Sequence, residues 1–351
     1  MYDRIVFERY GRARTLVRAL LAVVLVVVAA CGWVVYQYDY AIREQRVTVT
    51  GAAVPLHGVL ALPPRGKGPF GLVVFVHGDG PVDATHDTFY RPIWEALAQA
   101  GFASLSWDKP GIDGAPGNWL DQSMNDRARE TEAAIAWART RSEIDPDRIG
   151  LWGASQAGWV MPKVAAADPR LRFMIAVSPA INWLQQGRYN LLAELAKSGA
   201  SPDQVDAAVA RSEQNLRYLR TGASYDDAQS AGAADGMSPD RWGFALRNFA
   251  SDASADLAKV HVPVLLMLGG HDVNVDVADT EAGYLRDLPD PGLLQIATYP
   301  EATHSLVPVD VEDSAVKSTL VAVFAPRSLF ASGVLQAQRD FVGSVGVSPP
   351  R

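Results

Sequence analysis

From about residue 45 onward the chain repeats one pattern: a short apolar run, a turn signal, then a stretch with helical spacing. "VTVTGAAVPLHGVLALPP" reads as two strands around a turn. "FGLVVFVHGDGP", "FASLSW", "DRIGLWG", "FMIAVSP", "VPVLLML" and "LLQIATYP" follow as further strand runs, with helical patterns such as Asn125 to Arg141 between them. Apolar strands alternating with helices need crossover connections, and the usual result is a mostly parallel sheet covered on both faces. The fold class is therefore α/β. With 48% hydrophobic and 20% charged residues over 351 positions, there is enough apolar side chain to fill such a core. No solenoid-like internal repeat is present.

One interval breaks the alternation. Residues 181–257 carry no strand signal but have helix starts at Ser201-Pro202-Asp203 and Ser238-Pro239-Asp240, each a capping serine followed by a proline in the first turn. Val205, Val209, Ser212, Leu216 and Leu219 recur at helical spacing in the first, and Trp242, Leu246 and Phe249 in the second. The interval reads as a helical cap inserted into an α/β domain spanning 45–345.

Ahead of that domain, residues 19–38, "ALLAVVLVVVAACGWVVYQY", contain no charge. Twenty helical residues extend about 30 Å, the thickness of a hydrocarbon core. The segment 1–18 holds Arg4, Arg9, Arg12, Arg14 and Arg18 against Asp3 and Glu8, a bias that keeps the N-terminus cytoplasmic and puts the catalytic domain outside. The reading is a single-pass signal-anchor. Two alternatives stand beside it: a lipoprotein modified at Cys31, because "VAAC" resembles a lipidation box, and a cleaved signal peptide. Cys31 is the single cysteine, so no internal disulfide can form. A formal charge of -7 argues against nucleic acid as a partner.

"RIGLWGASQAGW" places one serine among small residues where a strand run becomes a helical one. A serine hydroxyl attacks a carbonyl only if it stands clear of the sheet beside a base. A tight strand-to-helix turn provides that when small residues lie two positions to either side, here Gly153 and Ala157. Ser155 is the candidate nucleophile. Of the six histidines, His57 and His261 sit in or beside strands, His77 precedes a glycine loop, His86 lies in a polar loop and His271 adjoins Asp272. His304, in "TYPEATHSL" just past the last strand, is the candidate base. Asp272, first after "VPVLLMLGG", is the candidate orienting acid, with Asp276 and Asp279 as rivals. The oxyanion donors are assigned to the backbone N–H groups of Asp79 and Gln156, with Gly80 as substitute for Asp79 and the Asp79 carboxylate directed away. His77 is assigned to bracing that loop. No metal or cofactor is called for: "DATHDT", with Asp83, His86 and Asp87, reads as a solvated loop, and the adjacent His271 and Asp272 cannot chelate together from one strand end.

"VFVHGDGP", "SWDKPGIDG", "LWGASQAG", "VPVLLMLGGHD" and "ATHS", in this order, resemble an α/β-hydrolase of the bacterial esterase and serine-peptidase-like kind over residues 45 to about 345. The order Ser155, Asp272, His304 is that family's. Relatives usually have Asp-Lys-Arg-Gly where this chain has Asp108-Lys109-Pro110-Gly111, so any role of that arginine is lost here. The resemblance implies an eight-stranded, mostly parallel sheet with a variable cap, and hydrolysis through an acyl-enzyme. Small or acyl-chain substrates are favoured, because the residues between anchor and first core strand leave no room for a gating domain. The alternatives are an exopeptidase or aminopeptidase-like amidase, holding an amino terminus with Glu194, Asp203, Asp206 or Glu213, an acyltransferase, and a catalytically silent binding protein.

Overall fold

The apolar runs assemble into one eight-stranded sheet. A computed structural model describes residues 2–234 and 236–345; Met1 of the segment 1–18 lies outside the described residues, as does residue 235 within 181–257. The strands are β1 (Arg43–Val49), β2 (Leu56–Leu62), β3 (Phe70–Val76), β4 (Phe102–Trp107), β5 (Ile144–Ala154), β6 (Met174–Val177), β7 (Val264–Gly269) and β8 (Leu294–Tyr299). Their order across the sheet is β1-β2-β4-β3-β5-β6-β7-β8. β1 pairs with β2, and β2 with β4, antiparallel, while every other neighbouring pair is parallel.

Helices cover both faces because the strands bury both sets of alternate side chains. In β3, Leu72, Val74 and Val76 belong to one apolar cluster, whereas Val73 and Phe75 belong to the other. β7 divides the same way, with Val264, Leu266 and Leu268 on one face and Leu265 and Met267 on the other. α1 (Tyr2–Tyr38) precedes the sheet. α2 (Arg91–Gln99), α3 (Met124–Ala138) and α4 (Met161–Ala167) are the helices of the first half. Ser123 caps α3 by a reciprocal pair of bonds with Asp126.

Between β6 and β7 the chain forms α5 (Trp183–Lys197), α6 (Pro202–Thr221), α7 (Tyr225–Ser230), α8 (Pro239–Asn248) and α9 (Ser254–Leu257). The serines Ser201 and Ser238 cap α6 and α8. Leu219, Ala228, Trp242 and Ala245 make a small core of the insert's own. Trp242 thus packs within the insert, while Phe244 joins the main core beneath it. α10 (Val277–Asp287), α11 (Val309–Glu312), α12 (Ala315–Phe324) and α13 (Val334–Val345) complete the chain.

The parallel register fixes where function can sit. Val76 pairs with Gly153, Ala154 with Val177 and Gly269 with Tyr299. The carboxyl ends of these strands therefore share one edge, from which the loops carrying residues 77–80, 155–158, 272 and 304 all leave. Within α1, Arg18–Tyr38 is long and apolar enough to cross a membrane or to serve as a signal sequence.

Candidate active site

β5 runs out at Ala154 and the backbone turns sharply into a short 3-10 helix, Ser155–Trp159. Ser155 has φ +55, a left-handed conformation costly for a non-glycine residue. The turn is possible because a Cβ at Gly153 would lie 2.6 Å from the Ala157 Cβ and 2.9 Å from the Val76 carbonyl. Ala157 can stand where glycine is usual because its methyl occupies the space Gly153 leaves. Gly158 serves the far side: a Cβ there would lie 2.3 Å from the Ala180 carbonyl oxygen. The Ala180 N–H donates to the Ser155 carbonyl at 3.1 Å, so the bend is pinned from β6.

Asp272 follows β7 and is buried. Its Oδ1 accepts the N–H groups of Asn274 at 2.8 Å and Val275 at 2.9 Å. Its Oδ2 lies 2.7 Å from His304 Nδ1. A carboxylate only accepts, so Nδ1 carries the proton and Nε2 is left as the imidazole's free position. Asp276 instead caps α10, accepting from the Ala278 and Asp279 amides, and Asp279 lies within that helix. Ser155 and His304 line one cavity of about 680 Å³.

The loop after β3 rides directly on the bend. A Cβ at Gly78 would be 3.3 Å from the Ala154 carbonyl and 3.5 Å from the Ser155 Cβ, so glycine lets the two segments approach this closely without displacing either. Among the described residues the Asp79 amide has no acceptor. Gly80 faces differently: its amide lies against the Asp79 carboxylate and its carbonyl accepts from Lys109 Nζ at 2.8 Å. Lys109 also donates to the Gly78 carbonyl at 2.6 Å and sits 4.7 Å from the Trp119 ring centre. Arg127 of α3 donates to the His77 carbonyl and to Gln156 Oε1, tying this loop to the bend. Burial pushes the Lys109 ammonium well below its ordinary value, with the Arg127 charge adding to the effect, and burial likewise lowers Arg127.

His77 is buried beneath the loop, with Nε2 2.6 Å from the Trp107 carbonyl and Nδ1 3.0 Å from the Tyr90 hydroxyl. The carbonyl can only accept, so Nε2 carries the proton and Nδ1 accepts from Tyr90. Burial holds the imidazole neutral, its pKa well below 6.5, with nearby Lys109 adding to the effect. Asp79 balances two influences: burial raises its carboxyl, but Arg241 outweighs burial and holds it below the usual value. Arg241 grips it at 3.0 and 2.6 Å, and Gln156 Nε2 donates to it at 3.0 Å.

Phe89, Ile93, Trp152, Val177, Leu306 and Phe330 give the cavity an apolar wall, while Gln186, Asn190, Arg241 and Asn274 give it a polar one. Trp183, Gln186 and Arg241 come from the insert. Sequence reasoning missed Lys109, Arg127, Arg241 and Trp183. Nothing local in the sequence marks them, because each reaches the site only through the packing of the folded chain. Among the described residues, no cluster of three His, Cys, Asp or Glu side chains could hold a metal ion.

A mostly parallel sheet, a strained serine bend at its centre and a histidine-carboxylate pair from the last two strands define an α/β-hydrolase. The family described as serine aminopeptidase, S33, matches residues 67–311. The chain belongs to that family. It is similar to esterase EstD of Thermotoga maritima, 23% identical over 271 residues, 76% of this chain and 60% of that one. Over a shorter stretch it is 33% identical to a Mycobacterium tuberculosis protein provisionally named a phosphoribosyl transferase, covering 40% of this chain but 30% of that protein. The chain thus spans under a third of that relative's length. Among solved structures, an esterase of Pyrococcus furiosus superposes with a TM-score of 0.54 at 17% identity, covering 82% of this chain and 93% of that one. That likeness is one of fold.

Proposed function

We propose that the protein is a membrane-anchored serine hydrolase that cleaves small carboxylic esters through Ser155, His304 and Asp272. The observation that carries the reading is the 2.7 Å bond between His304 Nδ1 and Asp272, beside a cavity that a strained Ser155 also lines. His304 Nε2 takes the Ser155 proton as Oγ adds to the carbonyl carbon, while the Asp79 and Gln156 amides hold the oxyanion. The tetrahedral adduct collapses, the leaving alcohol departs with the proton from His304, and a water deprotonated by His304 then releases the acid. Asp272 keeps Nδ1–H in place and stabilises the imidazolium. In this reading residues 45–345 are the hydrolase domain and 181–257 its cap.

An ester is favoured over a peptide amine by the cavity's chemistry. Neither Glu194, Asp203, Asp206 nor Glu213 lines it, and Asp79, which does, is occupied by Arg241. Residues 19–38 supply the anchor, with the arginine-rich segment 1–18 on the cytoplasmic side.

The test is fluorophosphonate labelling of the full chain and of Ser155→Ala, followed by turnover of esters of increasing acyl length and of aminoacyl amides. Ser155-dependent labelling, with a loss of about a millionfold in kcat on substitution, is expected. Unchanged labelling of S155A removes the serine mechanism; preference for amides over esters replaces esterase by peptidase. Transfer of the acyl group to added alcohol faster than to water identifies an acyltransferase.

A further inference from the structure

α12 has ten residues, AVKSTLVAVF, and none of them is buried. Val316, Leu320, Val323 and Phe324 are 69%, 51%, 44% and 50% exposed. Spaced at i, i+4, i+7 and i+8, they form one continuous apolar stripe. Its one charge, Lys317, is drawn to Asp310 at 3.0 Å. A helix whose apolar stripe is left this exposed needs an apolar medium to cover it.

The neighbour of α12 identifies that medium. Trp33 Nε1 donates to the Phe324 carbonyl at 2.7 Å, and the Tyr38 hydroxyl to the Ala322 carbonyl at 2.9 Å. The last turns of the apolar helix α1 thus satisfy the open carbonyls at the end of α12. Arg327, just beyond, donates to the Tyr36 and Asp39 carbonyls, pairs with Glu95 of α2, and lies over the Tyr36 and Tyr40 rings. Trp33, Tyr36, Tyr38, Tyr40 and an arginine at one end of an apolar span are the side chains that settle at a bilayer's polar boundary.

We propose that α12 is an in-plane membrane helix: its stripe inserts among the acyl chains at the outer surface of the phospholipid bilayer that α1 crosses. This rests on α1 being a membrane anchor. Fixed to α1 at one end and to α2 through Arg327 and Glu95, α12 makes a second contact that sets how the domain sits on the bilayer. Six residues after Phe324, Phe330 lines the cavity and packs edge-on against Phe89 with ring centres 4.8 Å apart. One short segment therefore joins the bilayer-facing helix to the apolar wall of the site.

The test uses the full chain in proteoliposomes of phosphatidylethanolamine and phosphatidylglycerol, in a Cys31→Ser background. Single cysteines at Leu320→Cys, Val26→Cys in the span, and Gln204→Cys on the exposed insert carry an environment-sensitive fluorophore, with thermal midpoints matched to the parent. The label at 320 should be quenched by lipids bearing a shallow doxyl group and not by aqueous iodide, that at 26 by a deep doxyl group, and that at 204 by iodide alone. Quenching at 26 by lipid but at 320 by iodide overturns the proposal while keeping the anchor. Iodide quenching at both positions removes both readings. A label at 320 shielded from lipid and iodide alike means a protein covers the stripe and also overturns the proposal.

Discussion

Arg241 of α8 and Asp79 of the loop after β3 form a two-pronged ion pair, Nη1 to Oδ1 at 3.0 Å and Nη2 to Oδ2 at 2.6 Å. It joins the helical insert to the segment whose amide is assigned to the oxyanion. A free carboxylate there would oppose developing negative charge, and Arg241 cancels it. Both side chains are over a third exposed, so the pair adds only about 1 kcal/mol or less to stability. Its larger effect is on rate. Arg241→Met should lower kcat by about tenfold, the equivalent of about 1.4 kcal/mol in the barrier. Asp79→Asn on that background should restore part of the loss. Steady-state kinetics of the two single variants and the double variant measure the coupling.

Asp272→Asn should keep the fold while reversing the imidazole tautomer, since an amide N–H facing Nδ1 forces that nitrogen to accept. kcat should fall by about ten-thousandfold with KM little changed. Asp276→Asn keeps the cap of α10, because its amide oxygen still accepts from Ala278 and Asp279, and should leave kcat close to the parent value, which separates the two aspartates by kinetics alone.

Lys109→Met removes the donor shared by the Gly78 and Gly80 carbonyls. The loop loses the group that orients its amides, so kcat should fall by about ten- to a hundredfold, roughly 1.4–2.8 kcal/mol of transition-state stabilisation. A loss confined to KM would mean that Lys109 shapes substrate binding instead.

Gly158→Ala should be severely destabilising, because its methyl meets a backbone carbonyl at 2.3 Å that β6 cannot move. A loss of about 1–3 kcal/mol or more is expected from overpacking. Ala157→Gly should cost much less, as it opens space rather than forcing it. Thermal unfolding of the two variants gives the contrast.

His77 sets a pH dependence of stability. Native His77 is neutral, its pKa held well below 6.5, so between the two values the unfolded chain binds a proton that the native chain does not. Stability therefore falls as pH drops below about 6.5, by at most about 1.4 kcal/mol per pH unit from this group. The stability of His77→Gln relative to the parent should accordingly improve on acidification. Unfolding midpoints of both proteins at neutral and mildly acid pH measure the sign.

Elements with a strong local signature were legible before any coordinates. Alternating apolar runs specify strands because strand side chains repeat every two residues, and the capping serines Ser201 and Ser238 mark helix starts because the first amides of a helix need acceptors. Ser155 was visible for a similar reason: a bend this tight demands small neighbours, and small neighbours stand out in sequence. The apolar length and arginine bias of residues 1–38 are likewise properties of composition alone.

Contacts between residues far apart in the chain left no such trace. Lys109 reaches the carbonyls of Gly78 and Gly80, Arg127 reaches Gln156, and Arg241 reaches Asp79. Each depends on strand order and on how the insert folds back, which no short window of residues encodes. The strand and helix periods, the sharp turn at Ser155 and the apolar N-terminal helix are written locally in the chain. Which charges surround the loop above that turn, and which face of α12 is left uncovered, follow from the folded arrangement. Local sterics and hydrogen bonding act within a few residues, whereas pairing and burial are set by the packing of the whole sheet.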